Sequence, residues 1–432
     1  MNTATSDKPN VQASLKTWLS YLEHIHPTTI ELGLERVSLV AQRLDILKPA
    51  PFVFTVAGTN GKGTTCRTLE MILLSAGYRV GVYSSPHLLR YTERVRINNQ
   101  ELPDIEHIKA FDLIEHARQD ISLSYFEYST LAALLMFKQA NLDVVILEVG
   151  LGGRLDATNI VNADVAVITS IALDHTDFLG NTRESIGYEK AGIFKQHCTA
   201  IVGEPDTPSS IIKYAKEKQV QLHCCQPNKG GDWQYKLVNH QSWNFKSLKD
   251  TYENLPVPQI PLANAATALA AISYSKLDVS INSIHQGLAI TQLTGRFQII
   301  SENPLIIIDV AHNPHAAKYL NTQLQKVIQN RNNIKKVRIV IGMLKDKDIK
   351  STIAALKADC WYCASLYGER GATAEEIAVN INPSVTTILT FPSVKAAWEQ
   401  AKTDADENDI IVVCGSFYTV SDILGIAKND EQ

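Results

Sequence analysis

The chain has 432 residues, 45% of them hydrophobic and 20% charged, with a net charge of −4, the make-up of an ordinary globular protein too long for one typical domain. That balance leaves no global basic field to draw nucleic acid, and the apolar runs fall far short of a membrane span. The polar start, MNTATSDKPN, has no apolar signal region, and the seven cysteines are an odd number scattered over strand-like and helix-like stretches, which fits a reducing cytoplasm better than a disulfide framework.

Two helical patterns come first, around Leu15–Leu22 and Leu34–Leu44, joined through Pro27; His24 and His26 between them read as surface or packing residues. The β-branched run from Phe52 to Ala57 reads as a buried parallel strand. A polar turn follows, Gly58-Thr59-Asn60-Gly61-Lys62-Gly63-Thr64, and then a helical pattern with Leu69, Ile72, Leu73 and Ala76 on one face, stopped by Gly77. Strand, glycine turn and helix make a phosphate cradle: backbone N–H groups point at the anion, the helix N-terminus adds its dipole, and Lys62 brings a charge to the outer phosphates. The match to a strict P-loop is incomplete, because only two residues separate Gly58 from Gly61 and Gly63 stands between Lys62 and Thr64. The hydroxyl that would hold Mg²⁺ is displaced by one, so the metal is expected to take its ligands elsewhere. The plainer reading, an ordinary strand–helix turn, leaves the lysine without a reason.

Beyond the turn, 79–84 reads as a strand ending in Ser84-Ser85-Pro86-His87, and 104–119 and 126–140 as helices. A strand over 143–149 delivers Glu148 and is followed by the loop from Gly150 to Asn159; a strand over 164–171 delivers Asp174 and His175. The alternation predicts a doubly wound, mostly parallel sheet, with Ser85, Glu148 and His175 at strand ends, where such sheets bind ligands. Residues 200–260 lose helical periodicity and gather prolines at 256, 258 and 261, which suggests a small β excursion before a helix over 264–273. A second α/β series starts at Leu305, with strands at 305–310, 337–342, 359–365, 386–391 and 410–414 separated by helices. The division expected is a first domain over 1–299, closed by Gly295-Arg296-Phe297, and a smaller Rossmann-like domain over 300–432, with the linker near Ile300 to Pro304. Asp309-Val310-Ala311-His312-Asn313-Pro314 stands where a dinucleotide fingerprint would lie, so this is not an NAD site. Cys360 and Cys363 form a CxxC inside a strand, where residues three apart point to opposite faces and do not chelate.

Oxygen donors suit Mg²⁺, and a carboxylate after an apolar strand beside the turn is where a nucleotide site needs one; the other reading of Glu148 is a solvated loop carboxylate. Lys190, in Glu189-Lys190-Ala191-Gly192-Ile193, cannot ligate a cation as an amine. As a carbamate formed with CO₂ it would be an oxygen ligand; otherwise it is a surface lysine or a phosphate contact.

These stretches together resemble the folylpolyglutamate synthase/dihydrofolate synthase family, relatives of the Mur cell-wall ligases. The matching segments are GTNGKGT at 58–64, SSPHL at 84–88, ERVRIN at 93–98, EVGLGGRLDATN at 148–159, ITSIALDHTDFLG at 168–180, EKAGIFK at 189–195, GRFQ at 295–298 and DVAHNPHAA at 309–317, in order over nearly the whole chain. The resemblance implies a P-loop-type α/β domain like the Mur ligase central domain, followed by the Rossmann-like domain. The activity it implies is ATP-dependent ligation of L-glutamate to a carboxylate through an acyl phosphate. It assigns Gly58, Thr59, Asn60, Gly61, Lys62, Gly63, Thr64, Asn264, Arg296 and Asp309 to ATP, and Ser85, Glu148, His175 and carbamylated Lys190 to the metal, with Lys62, His175 and Lys190 as the catalytic set. Ser124, Tyr125, Phe126, Glu127, Leu155, Asp156 and Ala157 correspond to the pterin site, where aromatic rings would stack on the pterin and Glu127 would accept its N–H groups. The other reading of 124–127 is the start of a helix with Phe126 on its core face.

The expected cofactors are ATP, Mg²⁺ as two ions, and K⁺. The expected substrates are dihydropteroate, reduced folates and L-glutamate, handled by a cytoplasmic monomer with no nucleic-acid or membrane partner. Tyr125-Phe126-Glu127-Tyr128 resembles the bifunctional bacterial members. A folylpolyglutamate synthase alone and a Mur-type ligase on another carboxylate are the enzymatic alternatives; a nucleotide-dependent switch is the non-enzymatic one.

Overall fold

The structure, a computed structural model, describes residues 8–28, 31–226, 231–331, 334–384 and 386–430. The chain divides into two units, one running to His87 and resuming from Tyr91 to Gln292, the other made of Leu88–Arg90 and the chain from Leu293 onward. Gly295, Arg296 and Phe297 fall in the second unit.

The first unit opens with helices Leu15–Leu22 (α1) and Glu35–Arg43 (α2) and is then wound around one sheet. Its elements run Phe52–Ala57 (β1), Lys62–Ser75 (α3), Val80–Tyr83 (β2), the hairpin Val95–Ile97 (β3) and Gln100–Glu101 (β4), Asp104–Arg118 (α4), Tyr125–Gln139 (α5) and Val144–Glu148 (β5). They continue through Val165–Ile168 (β6), Thr176–Leu179 (α6), Arg183–Ala191 (α7), Thr199–Val202 (β7), Ser209–Glu217 (α8) and Gln221–Cys224 (β8). The sheet order is β4-β3-β2-β5-β1-β6-β7-β8, parallel from β2 to β8, with β3 and β4 added antiparallel. Alternation along the strands splits the core. Phe54 and Val56 of β1 and Val144 and Ile146 of β5 pack under α3 with Leu69, Ile72 and Leu73. Val53, Val145 and Leu147 face the other way, onto Val37, Leu131 and Leu134 of α2 and α5. Each such side chain contributes about 1.5–3 kcal/mol when fully buried. A strand of four or five of them outweighs the desolvation of the one carboxylate, Glu148, that β5 carries at its end.

Two expectations are corrected here. Residues 200–260 are not only a β excursion: β7, α8 and β8 extend the parallel sheet, and a separate antiparallel sheet of Trp233–Leu237 (β9), Ser242–Ser247 (β10) and Thr251–Pro256 (β11) comes afterwards. β7 and β8 escape notice because they are four residues long, with small or polar members such as Ala200, Gln221 and His223. Helix Leu262–Tyr274 (α9) follows as expected, and then Ile281–Ile290 (α10), which the sequence reading missed. Gly287 argues against a helix by propensity, yet a Cβ there would lie 2.5 Å from Ile72 Cα: the glycine is what lets α10 close on α3.

The second unit is a six-stranded sheet of order β12-β13-β17-β14-β15-β16. Its strands are Gln298–Glu302 (β12), Leu305–Ile308 (β13), Val337–Ile341 (β14), Cys360–Ala364 (β15), Thr387–Phe391 (β16) and Ile410–Cys414 (β17). Helices Pro314–Asn330 (α11), Ile349–Ala354 (α12), Ala374–Ala378 (α13), Val394–Asp404 (α14) and Phe417–Asp430 (α15) alternate with them. The expected linker at 300–304 is instead the hairpin that joins β12 antiparallel to β13; the β-branched Ile299 and Ile300 favour a strand over a free connection. Cys360 and Cys363 lie in different core clusters on the two faces of this sheet, as strand geometry demands. Among the described residues no helix is long and apolar enough to cross a membrane.

Candidate active site

The parallel register Val56↔Glu148 sets the end of β5 beside the turn that leaves β1. Because β2, β5, β1 and β6 are neighbours in the sheet, the Ser84–His87 turn, Glu148, the phosphate turn and the 169–175 segment all leave from one edge. It is the carboxyl edge, where open α/β sheets bind ligands.

The turn is shaped by its glycines and by residues far away in sequence. Gly58 has φ +153 and Gly61 φ +87; a Cβ on Gly58 would lie 1.8 Å from Thr169 Oγ1, and one on Gly61 2.4 Å from Asn264 Oδ1. Only glycine fits both the left-handed backbone and the close approach. The N–H groups of Thr59 and Asn60 donate to Ser170, to its carbonyl at 2.8 Å and its hydroxyl at 3.1 Å. Donors for an anion therefore come from the first turn of α3, which begins at Lys62 with Gly61 as its cap and whose N–H groups have no acceptor within the helix. The Thr64 hydroxyl donates to Gly61 O at 3.0 Å and accepts from Asn264 Nδ2 at 2.7 Å. Both contacts engage the displaced hydroxyl within the protein. Lys62 Nζ curls over the turn and donates to Gly58 O at 3.1 Å.

Glu148 is buried, and Ser85 N–H donates to its Oε2 at 3.3 Å. His175 caps α6 with a left-handed φ of 51, takes the Asp174 carboxylate on its own N–H at 2.9 Å, and keeps its ring half-exposed, with Nε2 4.0 Å from Asp174 Oδ1. Lys190 is only 4% exposed. Burial first, and then the charge of Lys62, bring its amine down to about 7, while Asp174 and Asp156 pull the other way. The two lysines and Asp174 therefore share one electrostatic neighbourhood. Among the described residues no group of three or more His, Cys, Asp and Glu gathers as a metal cage. Mg²⁺ does not need one: it is held through one or two carboxylates plus substrate phosphates and waters. A buried carboxylate beside an anion cradle, with an amine whose lowered value of about 7 favours uptake of CO₂, fits that ion.

The residues expected at a pterin site divide into two sets. Ser124 caps α5, with Glu127 closing a capping box: Glu127 N–H donates to Ser124 Oγ at 3.3 Å and Ser124 N–H to Glu127 Oε2 at 2.7 Å. The Glu127 carboxylate also takes Arg36 Nη2 at 3.1 Å and is buried. It is thus engaged by the protein, in contacts the sequence reading did not foresee. Asp156 is likewise held by its own loop, accepting from the N–H groups of Gly150, Leu151 and Thr158 and from the Thr158 hydroxyl at 2.7–3.0 Å; burial pushes its carboxyl up. Leu155 O accepts from Gly33 N–H at 3.3 Å, and Ala157 is buried. Tyr125 and Phe126 carry the aromatic surface. The Phe126 ring lies 5.9 Å from that of Tyr83 and so close to Gly150 that a Cβ there would meet it at 2.6 Å. Arg94 sits over the Tyr125 ring at 5.4 Å and donates from Nε to His87 Nδ1 at 2.9 Å.

Arg36 and Arg94 were missed in the sequence. Arg36 gives no signal there, because its partner Glu127 is 91 residues away. His26, read as surface or packing, hydrogen-bonds Ser122 at 2.7 Å and Glu31 at 2.8 Å.

In the second unit, Asp309, just after β13, is half-buried and accepts from Phe297 N–H at 2.7 Å and Ala311 N–H at 2.8 Å. Burial raises its carboxyl and Arg296 opposes the rise. The Arg296 guanidinium lies 5.0 Å from the Phe417 ring centroid. These two ATP expectations are thus brought together with each other.

The Mur ligase middle domain family matches residues 56–274 and the Mur ligase glutamate ligase domain family residues 295–417. Over 97% of the chain and 96% of the relative, the sequence is 59% identical to the dihydrofolate synthase/folylpolyglutamate synthase of Escherichia coli (strain K12). This chain belongs to that family of Mur ligases. The structure is similar, at TM-score 0.94 and 58% identity, to that of E. coli FolC in complex with DHPP and ADP, with 98% of this chain and 100% of that one covered. A bifunctional folylpolyglutamate synthase/dihydrofolate synthase with Mn, AMPPNP and L-glutamate bound is similar at TM-score 0.91 and 57% identity, covering 97% of this chain and 99% of that one. Membership in the dihydrofolate synthase/folylpolyglutamate synthase family makes the chain an ATP-dependent, amide-forming ligase of the two-domain α/β type.

Proposed function

We propose that the protein joins L-glutamate both to dihydropteroate, giving dihydrofolate, and to the γ-carboxylate of folate glutamates, giving folylpolyglutamates. The observation that carries this is the gathering of Lys62, Glu148 and the buried Lys190 amine around a helix-start anion cradle, in a chain that matches bifunctional relatives over nearly all its length.

A carboxylate is a poor electrophile. Transfer of the terminal phosphoryl of ATP to it gives an acyl phosphate, whose phosphate is then displaced by the amine of glutamate. The first turn of α3 holds the transferring phosphates, and Lys62 offsets charge on them as it leaves Gly58 O. Ser85, Glu148, His175 and carbamylated Lys190 are the residues that would hold Mg²⁺ as two ions, which when bound neutralise phosphoryl charge. Asn264 shapes the turn; Arg296 and Asp309 are assigned to ATP, and K⁺ to the cofactors, on the resemblance alone. The reading takes the protein as a cytoplasmic monomer, and a net charge of −4 gives it no nucleic-acid footprint.

The decisive assay supplies ATP, Mg²⁺ and labelled glutamate with either dihydropteroate or a folate monoglutamate. Product in both arms is expected. Product from the folate alone would leave a folylpolyglutamate synthase only.

Phe126→Ala is expected to lower kcat/KM for dihydropteroate several-fold more than for folate extension, since ring stacking contributes roughly 0.5–1.5 kcal/mol beyond burial. Equal losses on both substrates would remove Phe126 from the pterin site. Glu127→Gln is expected to act mainly on stability. It leaves Arg36 facing a neutral amide and weakens the box that starts α5, so thermal unfolding rather than substrate preference is its readout.

A further inference from the structure

Lys62, Cys66 and Glu70 stand at four-residue steps on one face of α3. Glu70 is fully buried, and two arginines close on it: Arg67 Nη1 at 2.9 Å, and Arg96 through Nη2 at 2.9 Å and Nε at 3.2 Å. Arg96 comes from β3, outside the helix, and is itself largely buried. Its remaining nitrogen, Nη1, donates to Ser84 Oγ and to Glu93 O, both at 3.3 Å. Ser84 is followed by Ser85, whose N–H donates to Glu148 Oε2. The chain of contacts runs from the phosphate helix through Glu70, Arg96 and Ser84 to the Ser85–Glu148 pair. Cys66 lies among these groups: its thiol is pushed up by burial and by the charges of Glu148 and Glu70, against those of Arg96 and Lys62.

A buried ion pair is weak evidence of stability, because desolvation offsets its Coulombic gain; what it does offer is geometry. Arginine's planar fork fixes direction as well as charge. We infer that Arg96, anchored on Glu70, is the positioning residue of the metal site: it ties the Ser84–Ser85 turn to the helix that binds the phosphates, so that the Ser85 hydroxyl and the Glu148 carboxylate stand at a fixed spacing before any cation arrives. This rests on the metal reading above.

Mn²⁺ is the probe, titrated into the full-length protein with AMPPNP and followed by electron paramagnetic resonance, with thermal unfolding recorded for every variant. Arg96→Gln should raise the Mn²⁺ half-saturation at least tenfold and Ser84→Ala two- to threefold, with Arg96→Lys in between, because lysine keeps the charge and loses the fork. Arg338→Gln breaks a buried pair of the same kind in the other unit, Arg338 Nε to Asp409 Oδ2 at 2.8 Å; it should lower the unfolding temperature and leave the Mn²⁺ titration as in wild type. Glu148→Gln separates the two readings. If it leaves the titration unchanged, the metal site is misplaced and this inference goes with it. If Glu148→Gln shifts the titration while folded Arg96→Gln does not, the positioning role alone is overturned. Should Arg96→Gln fail to fold, Arg96→Lys and Ser84→Ala decide, and wild-type titrations in both would overturn the role.

Discussion

Lys62→Ala is expected to lower ligation by about 10²–10³-fold or more while the protein still folds, the scale of losing one preorganised stabiliser of transition-state charge. The ammonium donates to two carbonyls of its own turn, those of Gly58 and Thr59, so its removal takes a charge away from neutral partners. The same substitution has a second effect. Lys62 is one of the charges that hold the Lys190 amine down, and without it that amine moves up and is protonated more of the time near neutral pH. Loss of activity should therefore be partly restored at higher pH, in addition to the direct deficit. Product formation near the wild-type rate, from a folded Lys62→Ala protein at saturating ATP, would sink the assignment of Lys62 to the phosphates.

Lys190→Ala is expected to cost about 10²-fold, with partial rescue by short-chain carboxylates added in solution. The reason is the burial that brings the amine to about 7. Only a neutral amine adds CO₂, forming an N–C bond and releasing a proton, and an ordinary lysine is almost wholly protonated at that pH. The sign follows from the depressed value: above about 7 the amine is mainly neutral and carbamylation is favoured, and below it the ammonium takes over and the carbamate is lost. Activity should rise with pH through this range and respond to bicarbonate at its lower end. ¹³CO₂-labelled protein should show a carbamate carbon resonance that is absent from Lys190→Ala. A free amine in active, CO₂-replete enzyme would refute the modification.

What the sequence made legible is set by how locally each feature is encoded. β1 and β5 are apolar runs with polar turns after them, so their ends, and with them Lys62 and Glu148, were readable from pattern alone. Lys190 was readable as a residue but not as a chemistry: its low amine value comes from burial beneath a fold that brings Lys62, Asp174 and Asp156 near it. β7 and β8 were lost because four-residue strands with polar members carry too little periodicity, and α10 because its glycine answers to a neighbouring helix. Glu127 was read by residue type as a ligand's acceptor, and its bonds to Ser124 and Arg36 went unseen. A carboxylate three residues into a helix that starts with serine is also the signature of a capping box, and that signal was present in the sequence.

The Gly61 turn has one consequence for how the protein comes into being. Its left-handed backbone is packed against the side chain of Asn264, which also holds the Thr64 hydroxyl from 200 positions further along the chain. Short as it is, the turn is among the least local features of the first unit. During synthesis from the N-terminus, β1 and α3 leave the ribosome long before α9 does. The anion cradle therefore takes its final shape only when residue 264 has been made, and transplanting the seven residues from Gly58 to Thr64 into another protein would carry over the letters without the amide that gives them their form.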